Sequence, residues 1–134
     1  MSVLTELQES VAAVATAVGP SVVGIGSRLR GSGVVVAEGR VLTNAHNLRG
    51  AEVTVRFPGG RTERGTVKAV DWDGDLAVVE VDTTGAPPLA WSKDGATIGS
   101  AVFAAAATPS ASTRVSFGFV SSVERAFRGP GGQR

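Results

Sequence analysis

The first eighteen residues carry an apolar stripe with helical spacing. Its members recur at intervals of three and four residues, as expected of an amphipathic helix. Ser2 or Thr5 is a candidate N-cap, and Thr5 with Gln8 fits a capping box. Gly19 and the proline after it end the pattern. We therefore predict an N-terminal helix whose stripe is formed by Leu4, Leu7, Val11, Val14 and Val18.

Beyond residue 20 the apolar positions fall in short runs rich in Val and Thr, separated by glycine turns. Such spacing predicts an all-β sandwich or barrel. Glu38–Arg40 ("EGR") and Pro58–Gly60 ("PGG") predict tight turns. Because no second long helix alternates with the strands, a doubly wound α/β fold is disfavoured. The predicted strands cover residues 21–29, 31–38, 40–45, 52–57, 62–71, 75–82, 100–106 and 115–125.

The segment Asp82–Gly99 interrupts this rhythm with paired prolines and several turn-forming residues. It fits either a long loop inside one sheet or a crossover between two packed barrels. Length alone favours the loop, because a second barrel would have only about 35 residues, which is too few for independent stability. With 134 residues, of which 43% are hydrophobic, one compact domain is the default. The glycine-rich tail "RGPGGQR" is predicted to be mobile.

Composition excludes several classes of function. The 13 basic and 12 acidic residues are scattered, so we expect no nucleic-acid partner. The chain has no cysteine and a single histidine, which disfavours disulfides, thiolate catalysis and a metal site. We expect no cofactor.

Targeting signals give a second set of expectations. No apolar run approaches membrane-spanning length, so no membrane partner is expected. The N-terminus lacks the basic start of a secretory signal and carries Glu6 and Glu9. As it stands, the sequence predicts a cytoplasmic location; removal of a leader would make the location periplasmic or secreted.

The single histidine, His46, follows a predicted strand in "VLTNAHNLRG". A lone histidine is ordinarily a surface or structural residue, so its context decides. A general base needs a carboxylate on its Nδ1 atom, and "DWDGDLAVVEVD" offers Asp71, Asp73 and Asp75. We interpret the first two as parts of a solvated turn. Asp75 directly precedes "LAVV", which draws it to the edge of the sheet, where a partner is needed.

An ordered set of motifs resembles the first half of trypsin-like serine proteases of the HtrA/Deg type. "GPSVVGI" at Gly19–Ile25 fits the opening of that family, and "GSGVVVAEGRVLTNAH" at Gly31–His46 precedes "DLAVVEVD" at Asp75–Asp82. "FGFVSSVER" at Phe117–Arg125 is similar to a strand early in the family's second barrel. One departure is "AAAATP", which stands where the family has a turn like G-N-P.

The resemblance implies a fold, a domain organisation and a catalytic pair. The expected fold is an all-β, antiparallel trypsin-like barrel after a short helix, followed by the first strands of a second barrel. The family's catalytic histidine and aspartate fall on His46 and Asp75. The implied segments are the helix at 1–19, the first barrel at 20–86, a connection at 87–99 and an incomplete second barrel at 100–134.

The nucleophile is the main departure from the family pattern. Its G-x-S-G-[GS] turn is absent from all 134 residues, so the resemblance implies an N-terminal portion of a serine endopeptidase that is inactive alone. A nucleophile must meet both its base and its oxyanion donors. We therefore expect structural roles for the remaining candidates, which are Ser32, Ser116, Ser121 and Ser122.

Partners follow from this interpretation. We expect protein or peptide substrates, the remainder of the protease, and self-association through unpaired strands at Ser100–Arg125. Two alternatives remain at this point. One is a non-catalytic binding or regulatory domain with a protease-like barrel, and the other is an unrelated β-sandwich in which His46 and Asp75 coincide by chance.

Overall fold

The computed structural model describes residues 2–28 and 31–123. Helix α1 (Val3–Val18) is followed by a 3₁₀ turn at Gly19–Ser21 and by eight strands. The strands are β1 (Val22–Ile25), β2 (Gly31–Ala37), β3 (Arg40–Thr43), β4 (Glu52–Arg56), β5 (Thr62–Asp71), β6 (Leu76–Glu80), β7 (Ala101–Ala107) and β8 (Thr113–Phe119). The predicted tail lies outside the described residues.

Helix α1 begins at Ser2, whose hydroxyl accepts a hydrogen bond from the Thr5 N–H at 3.1 Å. Of the two candidate N-caps, the helix therefore uses Ser2, and the hydroxyls of the two residues are themselves 2.8 Å apart. The helix ends at Val18, where the following Gly-Pro pair enters the 3₁₀ turn. Its apolar stripe faces the sheet formed by β7 and β8, with a groove lined by Val11, Val115 and Phe117 among others.

Strands β1 to β6 form one closed antiparallel barrel in the order β1-β2-β3-β6-β5-β4. Alternating positions of β3, β4 and β6 are buried, as a half-buried strand requires. The tight turns are where the sequence predicted them, and Gly39 (φ 77°) and Gly59 (φ 90°) adopt left-handed conformations there. The core includes Val23, Ile25, Val35, Val41, Val53, Val55, Phe57, Ala77 and Val79. The barrel confirms the predicted fold class and rules out the sandwich alternative.

Strands β7 and β8 form a separate two-stranded sheet. The residues from Val81 to Ser100 connect this sheet to the barrel without a helix or strand of their own. The loop within one sheet that length alone favoured is therefore wrong, because β7 pairs with β8 and not with a barrel strand. The domain boundaries at residues 19, 86 and 99 stay predictions.

The sheet is attached to the barrel by a specific hydrogen bond. The hydroxyl of Ser32 on β2 accepts the N–H of Ala107 on β7 at 2.9 Å. Gly33, the next residue, packs so closely that an added Cβ would lie 2.8 Å from Val41 Cγ1 and 3.0 Å from the Leu42 carbonyl oxygen. The Gly-Ser-Gly sequence thus allows close packing in the barrel through Gly33 and contacts the second sheet through Ser32.

Candidate active site

Two neighbouring strands bring the histidine and the aspartate to the same end of the barrel. β3 and β6 are paired through Thr43 and Ala77. His46 lies in a 3₁₀ turn, Ala45–Asn47, just after β3, and Asp75 directly precedes β6. Because the strands are antiparallel, the exit of one and the entry of the other are adjacent.

The Asp75 carboxylate contacts His46 through both of its oxygens. Oδ2 lies 2.5 Å from Nδ1 of the imidazole, and Oδ1 accepts the His46 backbone N–H at 2.9 Å. The structure thus brings together His46 and Asp75, the two residues that the resemblance selects. The carboxylate contacts Nδ1, as expected. Their catalytic role stays a prediction.

This contact selects the tautomer of the neutral imidazole. An ionised carboxylate can only accept hydrogen bonds, so the proton between the two groups belongs to Nδ1. The neutral ring then has its lone pair on Nε2, which is the atom a general base uses. The His46 side chain is 69% exposed and that of Asp75 is 42% exposed, so the imidazole is accessible.

Hydrogen bonding also stabilises the charged form of the aspartate. The His46 backbone N–H is the main cause that holds the pKa of Asp75 below its ordinary value, and the bond from the imidazole adds to it. Partial burial acts in the opposite direction but is outweighed. Asp75 is therefore ionised at neutral pH, as an orienting acid must be.

The backbone of Asp75 is unusual. Its φ of 54° lies in the left-handed region, which non-glycine residues seldom occupy. The residue closes a turn in which its N–H donates to the Trp72 carbonyl at 3.3 Å. Strained conformations of this kind persist only where the surroundings fix them.

The other carboxylates of this segment do not contact the histidine. Asp71 instead accepts the Gly74 N–H at 3.1 Å and stabilises the turn that leads to Asp75. Asp73 is exposed within that turn. Both match the turn interpretation made from the sequence.

The four candidate serines, all within the described residues, make no hydrogen bond with His46. Ser32 binds β7 through its hydroxyl, and its carbonyl accepts the Thr43 hydroxyl at 2.8 Å. Ser116 is exposed on β8, and Ser121 and Ser122 are exposed beyond its end. The hydrogen bonds that His46 makes in the described part of the chain run to Asp75 and Arg49.

Asn44 is a site residue to which the sequence reasoning assigned no role. It is exposed, and its side-chain amide donates to the Asp75 carbonyl at 3.1 Å. The available signal was its residue type directly before a short turn, because asparagine is a preferred N-cap. Its partner, 31 positions away, was invisible to that local rule.

The described ranges contain neither a candidate metal centre nor a membrane-spanning helix. Within residues 2–28 and 31–123, acidic and histidine side chains do not form a group that could hold a metal ion. Over the same residues, no helix has both the length and the apolar character needed to cross a membrane.

A closed six-stranded barrel with a His–Asp pair at its end, next to the start of a second sheet, defines a chain of the trypsin-like class. The model of the trypsin-like peptidase domain matches residues 31–134. The chain belongs to this family.

Relatives confirm the resemblance to HtrA-type proteases. The mitochondrial serine protease HTRA2 of Drosophila pseudoobscura pseudoobscura is 35% identical over 101 residues, which cover 72% of this chain and 24% of that protein. The chain thus spans about a quarter of the length of this curated relative.

Two solved protease structures are similar to this chain in fold. The Rv3671c protease of Mycobacterium tuberculosis, in its inactive form, has a TM-score of 0.75 and 31% identity, covering 88% of this chain and 60% of that one. The serine endoprotease from Yersinia pestis has a TM-score of 0.71 and 28% identity, covering 82% and 44%.

Proposed function

We propose that this chain supplies the general base and the orienting acid of a serine endopeptidase of the HtrA/Deg type. The observation that carries the proposal is the double contact of the Asp75 carboxylate with Nδ1 and the backbone N–H of His46. Membership of the trypsin-like family supports it. The proposed substrates are proteins or peptides.

In this proposal a serine from outside these 134 residues is the nucleophile. Its Oγ bonds to the carbonyl carbon of the scissile peptide while its proton passes to Nε2 of His46. Asp75 accepts the Nδ1–H bond throughout and stabilises the imidazolium that forms. The imidazolium then gives the proton to the leaving nitrogen as the C–N bond breaks.

Serine-directed labelling tests whether the nucleophile lies outside this chain. The 134-residue chain should not react with a fluorophosphonate probe, because it lacks the G-x-S-G-[GS] turn that carries the family's activated serine and its oxyanion donors. His46→Ala is the matched control. Stoichiometric labelling of the chain that disappears in His46→Ala would overturn the proposal, and would identify one of Ser32, Ser116, Ser121 or Ser122 as the nucleophile.

The reading frame beyond Arg134 gives the complementary test. A protein that includes a G-x-S-G-[GS] serine there should be labelled, and Asp75→Asn should slow its turnover by about 10⁴. If labelling of that serine does not depend on His46, the assignment of the base is wrong.

A second candidate function rests on the absence of the G-x-S-G-[GS] turn from this chain. In that case the chain is a non-catalytic binding or regulatory domain that keeps a protease-like barrel. A reading frame without the motif favours this candidate over the enzyme.

A further inference from the structure

The side chain of Asn44 connects the two segments that carry the candidate catalytic pair. Asn44 lies between the end of β3 and the 3₁₀ turn that holds His46. Its Nδ2 donates to the main-chain oxygen of Asp75 at 3.1 Å. The regular β3–β6 pairing reaches Thr43 and Ala77, so this bond links the segments beyond the end of the ladder.

Asn44 occupies the N-cap position of its turn but does not cap it. An N-cap asparagine normally accepts an N–H from the first turn of its own helix, and the Asn44 side chain makes no such bond. The N–H of His46 goes instead to Oδ1 of Asp75 at 2.9 Å. The two segments therefore exchange hydrogen bonds: Asp75 receives the turn's N–H, and Asn44 donates to the Asp75 backbone.

These exchanged hydrogen bonds hold Asp75, whose backbone adopts an unfavourable conformation. Asp75 has a φ of 54°, a conformation that persists only when the surroundings enforce it. The turn holds its N–H through the Trp72 carbonyl, and Asn44 holds its carbonyl oxygen. With the peptide groups on both sides fixed, the direction of the Cα–Cβ bond that carries the carboxylate is fixed too.

We propose that Asn44 is a positioning residue that holds the backbone of Asp75 so that its carboxylate faces both Nδ1 and the N–H of His46. The inference rests on the proposed function of that pair. The role requires a hydrogen-bond donor, since a carboxylate at position 44 would place a second acceptor against the Asp75 carbonyl.

The test is solution NMR on the 134-residue chain. The first readout is the titration of the Asp75 carboxyl carbon, and the second is hydrogen exchange of the His46 amide. Asn44→Ala removes the donor. Arg49→Ala is the matched control, because Arg49 also follows β3 and donates to the His46 carbonyl, at 3.4 Å, without touching Asp75.

In Asn44→Ala, we expect the midpoint of the Asp75 titration to rise toward the ordinary value and the His46 amide to exchange several-fold faster, while the amides of β3 and β6 keep their rates. Arg49→Ala should leave both readouts unchanged. A merely structural role would change the strand amides and leave the Asp75 midpoint in place. Wild-type values in Asn44→Ala for both readouts would overturn the inference.

A further variant separates this inference from the proposed function. His46→Ala removes the imidazole partner but keeps the backbone N–H at position 46, so it should raise the Asp75 midpoint only part of the way to the ordinary value. If it does so while Asn44→Ala does not, the pair is real and only the role of Asn44 is wrong. If His46→Ala leaves the midpoint unchanged, the His–Asp pair fails and the proposed function fails with it.

Discussion

At the scale of single residues, Asp75 combines an uncommon backbone conformation with a lowered carboxyl pKa. Its carboxylate receives two hydrogen bonds from His46, and these lower its pKa. The same contacts must then contribute to folding, because the charged carboxylate is better stabilised in the folded chain than in the unfolded one.

The pH dependence of stability tests this contribution. Since the folded pKa lies below the unfolded one, the stabilisation is fully present above the ordinary carboxyl pKa and is lost as the pH falls through the folded value. We expect the difference in unfolding free energy between wild type and Asp75→Asn to be largest above about pH 5 and to shrink toward about pH 2. Urea unfolding at several pH values measures it, and a difference that is constant over this range would contradict it.

A second test at this scale concerns close packing at Gly33. An added Cβ would approach Val41 Cγ1 to 2.8 Å and the Leu42 carbonyl to 3.0 Å. We expect Gly33→Ala to lower the free energy of unfolding by about 2 kcal/mol. The control is Gly118→Ala, also in a strand, where an added Cβ meets nothing within 4 Å; its effect should stay within about 0.5 kcal/mol. Equal effects of the two variants would contradict the packing argument.

At the scale of elements, the contact between β2 and β7 depends on a side chain. Ser32 accepts the Ala107 N–H at 2.9 Å, and such a bond is worth about 1 kcal/mol. We expect Ser32→Ala to speed amide exchange at Ala107 about fivefold while the barrel amides are unaffected. Ser116→Ala, an exposed serine on β8, should change neither rate. An unchanged rate at Ala107 in Ser32→Ala would show that this hydrogen bond does not hold the sheet.

At the scale of the whole molecule, the closed barrel and the open sheet differ in how their edges are satisfied. Each barrel strand has two neighbours, whereas in the described residues β7 and β8 pair only with each other. Large apolar side chains are exposed on this sheet, with Phe117 49% and Phe119 68% exposed. Unpaired edges next to apolar surface favour association with other chains.

We therefore predict that Val22–Asp82 behaves as one protected unit, while Ser100–Arg125 either exchanges quickly or mediates self-association. Hydrogen exchange by segment measures the first property, and light scattering over a range of concentrations measures the second. A chain that stays monomeric with β7 and β8 as well protected as the barrel contradicts the prediction and favours a single complete domain.

How much of the molecule the sequence predicts depends on the range of the interaction. Helix α1 and most strands follow from local periodicity, so their positions are close to the prediction. Two predicted strands are too long: β1 ends at Ile25 and not at residue 29, because the chain turns at Gly26 (φ 89°), and β8 ends at Phe119 and not at residue 125. The choice between Ser2 and Thr5 as N-cap was left open by the sequence, because both residue types satisfy the same local rule.

The sequence by itself determined the elements, their order and the presence of a histidine and an aspartate at strand ends, because side-chain periodicity and turn chemistry act over a few residues. Only the tertiary structure decided the hydrogen-bonding partners. The antiparallel pairing of β3 with β6 brings Asp75 to His46 across 29 positions and gives Asn44 its partner. Contacts between residues so far apart are fixed by strand register and by the left-handed backbone of Asp75, and no local pattern in the chain encodes either one.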